Sequence, residues 1–141
     1  MLFVSSVYTL SLFASNADDA KSLVGDGAKL CNEKGLEVCL KSFNDKKGSY
    51  VRGSLYLFAI NYEGETLAHG GNPRIVGKNL SDLKSPDGVF IFREFIKIAK
   101  EKKQGWINYT WSHPQTKKIA AKTTFIKAIG NSVLIGSGFY K

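Results

Sequence analysis

Lys122 is the side chain of this sequence best placed to hold a ligand, because it is the lone charge in the run Ile119-Ala120-Ala121-Lys122-Thr123-Thr124-Phe125-Ile126. An ammonium in a partly dry pocket makes short, charge-assisted hydrogen bonds, and its natural partner is a carboxylate. Tyr56 and Tyr109 bring hydroxyl groups from other aromatic segments, while Phe58 and Trp111 bring apolar wall. His69, in His69-Gly70-Gly71-Asn72-Pro73, adds a further donor that would favour anions when protonated and so make binding depend on pH. Aromatics with a few polar groups on successive strands of one small sheet are what a pocket for a small polar ligand requires. The chemistry is recognition, with no bond made or broken. The same strand spacing also suits a plain core for Tyr56, Phe58 and Tyr109, and a lone His suits a turn.

Other residues rank lower. Arg52 and Arg93 are weaker anion candidates, since each also serves as a solvated charge. Lys127 lies at an odd offset from Lys122, so the period of two turns it to the opposite face. Trp106 likewise opposes Trp111 and is assigned to core. His69 and His113 are far apart in sequence and Cys31 and Cys39 have no matching pair, so no zinc spacing is present and neither metal nor cofactor is expected. Hydrolase and phosphate-binding motifs are missing: there is no Gly-x-Ser-x-Gly elbow and no P-loop, and Gly136-Ser137-Gly138 has no helix after it. The expectation is a protein that is not an enzyme.

The formal net charge is +8, and residues 91–141 carry all of that excess. Basic residues interleaved with Tyr109, Trp111 and Phe125 offer a competing reading as a single-strand nucleic-acid module, beside a small enzyme of unfamiliar type. The first reading of the charge is a solvated face, because Lys97, Lys100, Lys102 and Lys103 fall on the polar side of a helix and Lys117 and Lys118 in a turn.

These side chains need elements to carry them. A chain of 141 residues, 43% of them hydrophobic, is long enough for one domain with a real core. Residues 1–14 are uncharged, and Ser15-Asn16-Ala17 offers small residues before Asp18, which reads first as a signal peptide over residues 1–17 with the domain at 18–141, and otherwise, for want of a basic leading segment, as the buried opening of the first helix. Ala20, Leu23, Val24, Ala28 and Leu30 recur at helical spacing despite Gly25 and Gly27. Gly35 ends that helix and a shorter one follows over residues 36–43. Cys31 and Cys39, on either side of this turn, are either a disulfide or two small core residues. Residues 50–60 read as one strand, with Tyr56, Phe58 and Ile60 on one face, and residues 66–69 as its hairpin partner. A break at residues 82–88 precedes a helix over 89–103 with Phe92, Phe95, Ile96 and Ala99 along one stripe, ended by Gly105. Residues 106–111 alternate, Ile107, Tyr109 and Trp111 pointing one way. Two more strands follow, near residues 119–129 and 132–140. The order predicts α+β with an antiparallel sheet.

Taken together, Tyr56-Leu57-Phe58, His69-Gly70-Gly71-Asn72-Pro73, Gly77-Lys78-Asn79-Leu80, Asp87-Gly88, the segment Gly105-Trp106-Ile107-Asn108-Tyr109-Thr110-Trp111, Pro114, Lys122 and Gly136-Ser137-Gly138-Phe139-Tyr140 resemble, in order, the single Cache pattern. Cache domains are small-molecule sensors related to PAS domains. The likeness covers roughly 85 residues, and Ser85 departs from it where the pattern usually has Asp. The resemblance implies a PAS-like Cache fold, with a long N-terminal helix packed on a central antiparallel sheet of about five to six strands. It also implies a ligand such as a short carboxylate or related metabolite, held between sheet and crossing loops by Tyr56, Phe58, His69, Tyr109, Trp111 and Lys122. The expected role is extracytoplasmic sensing in signal transduction or chemotaxis, in the periplasm or secreted. The expected partners are a small organic acid and a membrane receptor or sensor kinase, with no nucleic acid and no transmembrane segment in the mature chain.

Overall fold

A computed structural model describes residues 16–141, so most of the expected signal peptide lies outside the described residues. Helix α1, Ala17–Lys34, opens with a capping box in which Asn16 Oδ1 accepts from Asp19 N at 3.1 Å and Asp19 Oδ2 accepts from Asn16 N at 3.2 Å. Asp18 and Asp19 also put negative charge at the positive end of the helix dipole. Gly35, at φ +91°, ends α1 and at once begins α2, Leu36–Asn44, a turn that a side chain would strain. Cys31 and Cys39 meet across it in a disulfide, Cα atoms 5.0 Å apart, and both are buried. The disulfide reading of this pair therefore holds, and the reading of two free core cysteines does not.

The expected strand at residues 50–60 is interrupted. Gly53 takes φ +65° and turns the chain between β1, Val51–Arg52, and β2, Leu55–Tyr56, which pair as a small hairpin of their own. The main sheet starts only at β3, Phe58–Asn61, which pairs with β4, Thr66–His69. Tyr56, Phe58 and Ile60 still share one face and one buried cluster, while Leu57 and Ala59 belong to the other. After a 3-10 turn at Pro73–Ile75 come α3, Ile91–Lys102, and three long strands: β5, Gln104–Ser112; β6, Ile119–Ile129; β7, Val133–Tyr140. The five-stranded sheet runs β4-β3-β7-β6-β5, and its strands are antiparallel, as the order of elements predicts.

Helix α3 stops one step earlier than expected, with Lys103 rather than Gly105 as the left-handed residue at φ +70°. Gly105 has a different task, since a Cβ there would lie 2.9 Å from Ile98 Cγ2. Ahead of α3, Ser85 fastens the loop: its hydroxyl bonds Asp87 and accepts from Val89 N at 3.1 Å, while its own N–H donates to the Val89 carbonyl at 2.8 Å.

Two cores lie on the two faces of the sheet. On one, Leu23, Val24 and Ala28 of α1 and Phe43 of α2 pack against Leu57, Ala59, Phe125 and Ile135. On the other, Phe92, Phe95 and Ala99 of α3 pack against Phe58, Tyr109, Ile126 and Leu134. Strand alternation feeds both, Phe125 going to the α1 side and Ile126 to the α3 side. Trp106, expected in the core, lies beside Phe125 and Phe139 on the α1 face but stays 39% exposed.

Candidate functional site

Tyr56, Phe58, His69, Tyr109, Trp111 and Lys122 come from five strands and converge on one chamber beneath α3, closed by Phe92 and Phe95 of that helix. Lys122 sits mid-strand in β6, 1% exposed, with Tyr109 of β5 and Tyr140 of β7 directly opposite it on its two neighbours. Its stem passes Gly138, where no side chain competes for the space. Its ammonium donates to Tyr56 Oη at 2.8 Å and lies 4.2 Å from the Tyr56 ring centroid and 5.0 Å from that of Tyr140. Among the described residues the ion pairs are Arg52–Asp26 and Arg93–Asp82, so no carboxylate neutralises Lys122. A buried ammonium held only by a phenol and ring faces is electrostatically underpaid. Burial accordingly pulls its pKa down to about 7.

The hydroxyls around it form a directed chain. Tyr140 must donate to the Ser112 carbonyl at 3.0 Å, so its oxygen is left to accept from Tyr56 at 3.4 Å, and Tyr56 in turn accepts from Lys122. Tyr109 is tied separately to Thr124 Oγ1 at 2.8 Å. Burial raises the pKa of Tyr56 and Tyr109, and pushes Tyr140 up to about 12, so all three stay phenols. They are donors and acceptors, and supply no negative charge.

His69 differs from the sequence expectation in its charge. Its Nδ1 accepts from Asn72 N at 2.8 Å and Gly71 N at 3.2 Å, which leaves the neutral ring's proton on Nε2. Burial, then the charges of Lys122 and Lys46, lower its pKa to about 3. The ring is therefore neutral at ordinary pH, and the protonated form on which pH-dependent binding would turn is the disfavoured one. Asn44, the last residue of α2, fixes it in place by accepting from His69 N at 2.9 Å and donating to the Leu67 carbonyl at 3.4 Å. Gly71 completes the fit, since a Cβ there would be 2.6 Å from the Tyr56 ring.

The aromatics form a continuous wall. Phe58 stacks on Phe95 at 5.2 Å, Tyr109 meets Phe95 edge-on at 5.4 Å, and His69 lies 4.7 Å from Tyr56 and 6.2 Å from Trp111. The chamber they enclose measures about 10 Å³, roughly the room for one water. Tyr56, His69 and Trp111 form a wall shared with a second, outer cleft of about 510 Å³.

The weaker candidates lie elsewhere. Arg52 is engaged with Asp26, Arg93 with Asp82 and the Ser81 carbonyl, and Lys127 reaches Gln104 on the other face of β6. Sequence reasoning passed over Tyr140, Phe92 and Phe95 as site residues. For Tyr140 the usable signal was the pairing of two alternating strands around Gly130-Asn131, which puts it beside Lys122. Among the described residues no group of three or more His, Cys, Asp or Glu is gathered to hold a metal ion. No helix among them is long and apolar enough to cross a membrane.

Comparison with known proteins gives this geometry a lineage. The methyl-accepting chemotaxis protein McpP of Pseudomonas putida is 34% identical over 85 residues, which are 59% of this chain and 16% of that protein. The fold matches that of a methyl-accepting chemotaxis protein from Vibrio parahaemolyticus, with a TM-score of 0.76 at 20% identity over 87% of this chain and 86% of that one. It also matches a periplasmic sensor domain of a chemotaxis protein, with a TM-score of 0.69 at 23% identity over 87% and 88% of the two chains. A third match is a Cache chemosensory domain solved for the basis of its carboxylic acid recognition, with a TM-score of 0.68 at 23% identity over 87% and 86%. The family model described as Cache domain covers residues 41–141, and the chain belongs to the Cache domain family.

Proposed function

We propose that this chain is an extracytoplasmic sensor domain that binds a short carboxylate between Lys122, the Tyr56 hydroxyl and the aromatic wall, and presents that occupancy to a membrane receptor or sensor kinase in chemotaxis or a related signalling route. The observation that carries the reading is Lys122, a buried ammonium without an acidic partner in an otherwise aromatic chamber. A carboxylate entering there supplies the missing countercharge and takes charge-assisted hydrogen bonds from the lysine. The relatives support the sensory role, being chemotaxis proteins and a Cache domain solved with carboxylic acid recognition in view. The Cys31–Cys39 bridge suits an oxidising compartment, and residues 1–17 are proposed as the leader that takes the chain there. No step of this function makes or breaks a bond, and no nucleic acid takes part.

Thermal shift against small acids, amino acids, amines and purines tests the ligand class. A ligand at about a hundred times its Kd stabilises by about 2.7 kcal/mol. Acids are expected to raise the melting temperature of the wild-type domain and not of Lys122→Met. Stabilisation by amines or purines with none by acids would sink the reading. Protein recovered from the native cell envelope is expected to begin near Asp18, and an intact Met1 on it would remove the leader.

A further inference from the structure

The inner chamber and the outer cleft differ in volume by far more than their shared wall suggests. At about 10 Å³ the chamber admits a group the size of one water, whereas the cleft, at about 510 Å³, falls within the few hundred to a thousand Å³ usual for small-molecule sites. The cleft is lined by Lys46, Arg74, Lys117 and His113, with no Asp or Glu among its residues. None of its three cations belongs to an ion pair of the described residues.

Two of those cations stand on loops fastened in the same way. On one side the Nδ1 of His69 accepts from the N–H groups of Gly71 and Asn72, and Asn72 Oδ1 caps the turn by accepting from Arg74 N at 3.0 Å. On the other side the Nδ1 of His113 accepts from Gln115 N at 3.1 Å and Thr116 N at 3.4 Å, and Lys117 N donates to the His113 carbonyl at 2.9 Å. Lys117 itself is held at φ +65°. Because both Nδ1 atoms are acceptors, each neutral ring carries its proton on Nε2. The ring of His113 rests on Tyr140, 4.4 Å between centroids, which couples the outer loop to the hydroxyl chain that starts at Lys122.

Resting on the proposed function above, we infer that the cleft is a second anion subsite continuous with the chamber, so that the domain favours acids bearing a second anionic group, one carboxylate at Lys122 and the other group between Arg74 and Lys117. The connecting carbons of such a ligand pass between Tyr56, His69 and Trp111, the residues that line both spaces.

The test compares succinate with butyrate, which has the same number of carbons and one carboxylate, by calorimetry at fixed moderate salt. Succinate is expected to bind the wild-type domain about tenfold more tightly. Exposed ion pairs are each worth up to about fivefold, so Arg74→Gln and Lys117→Gln should each reduce the succinate advantage by about three- to fivefold and leave butyrate unchanged. Lys118→Gln, on the same hairpin but outside the cleft, should change neither. Equal binding of the two acids, insensitive to Arg74 and Lys117 but lost in Lys122→Met, would overturn the subsite and leave the inner site standing. Succinate binding that survives Lys122→Met and falls with Arg74→Gln would instead support the cleft and remove the inner site. No binding of either acid would overturn both.

Discussion

Gly138 lies beneath the stem of Lys122: a Cβ at Gly138 would stand 2.9 Å from Lys122 Cε and 2.6 Å from the Thr123 backbone oxygen. The lysine has room to lie there because its neighbour strand has no side chain at that point.

Gly138→Ala must therefore displace the Thr124 hydroxyl, the atom nearest to an added Cβ, and crowd the Thr123 carbonyl and Lys122 as well. Overpacking of this kind costs about 1 to 3 kcal/mol, and urea unfolding should show it together with weakened acid binding. Gly25 is the contrast, an exposed position inside α1 with nothing within 4 Å of an added Cβ. Gly25→Ala should stabilise by about 0.4 to 1 kcal/mol through the unfolded chain. Equal losses at the two sites would show that the contact beside Lys122 is not tight.

Acid affinity should fall as pH rises through about 7, where burial places the Lys122 pKa. An anion favours the ammonium, so above that pH binding must take up a proton, and calorimetry in two buffers of different ionisation enthalpy should detect it. The ligand-free stability has the opposite slope. Between about 7 and the ordinary 10.5 the unfolded chain holds the extra proton, so stability rises with pH across that window. Above about 10 the trend reverses, because tyrosines such as Tyr140 ionise more readily unfolded than folded. Lys122→Met should flatten the rise. A wild-type slope unchanged in that variant would mean another group titrates.

Acidification should destabilise the domain through His69. Its pKa is about 3 folded against 6.5 unfolded, so the unfolded state binds the extra proton between those values and stability falls as pH drops through them. His69→Gln should lose part of that slope. His69→Ala should also lose about 1 to 3 kcal/mol at neutral pH, since the Gly71 and Asn72 N–H groups are left without their acceptor. Urea midpoints from pH 4 to 7 for the three proteins measure both effects.

Reduction of Cys31–Cys39 should cost about 2.5 kcal/mol by the chain-entropy relation for its separation of 8 residues. Urea unfolding with and without reductant reads the difference. Free reaction of both thiols with a labelling reagent in the denatured, unreduced protein would show that the bond is absent.

The alternation of β5 and β6 was open to inspection, because a period of two puts Tyr109 and Trp111 together and separates Lys122 from Lys127 without any tertiary information. The two-helix turn at Gly35 was equally plain. The hairpin at Gly53 was hidden, since Val51, Leu55, Tyr56 and Phe58 all favour strand and a single glycine does not say whether it bulges or reverses the chain. Phe92 and Phe95 were recognised as a helical stripe, but the period of a helix says nothing about which part of the sheet it roofs. The neutrality of His69 also lay beyond the sequence: it comes first from burial and then from the charges of Lys122 and Lys46, all of them set by tertiary packing.

A chamber with room for one water turns occupancy into motion. Any acid larger than that must push aside Trp111 on the edge strand β5 or the phenylalanines of α3, and both belong to packed elements that do not deform by degrees. If Lys122 takes a carboxylate as proposed, seating it moves the helix or the edge strand beside it, and that displacement is the form in which occupancy would be passed on.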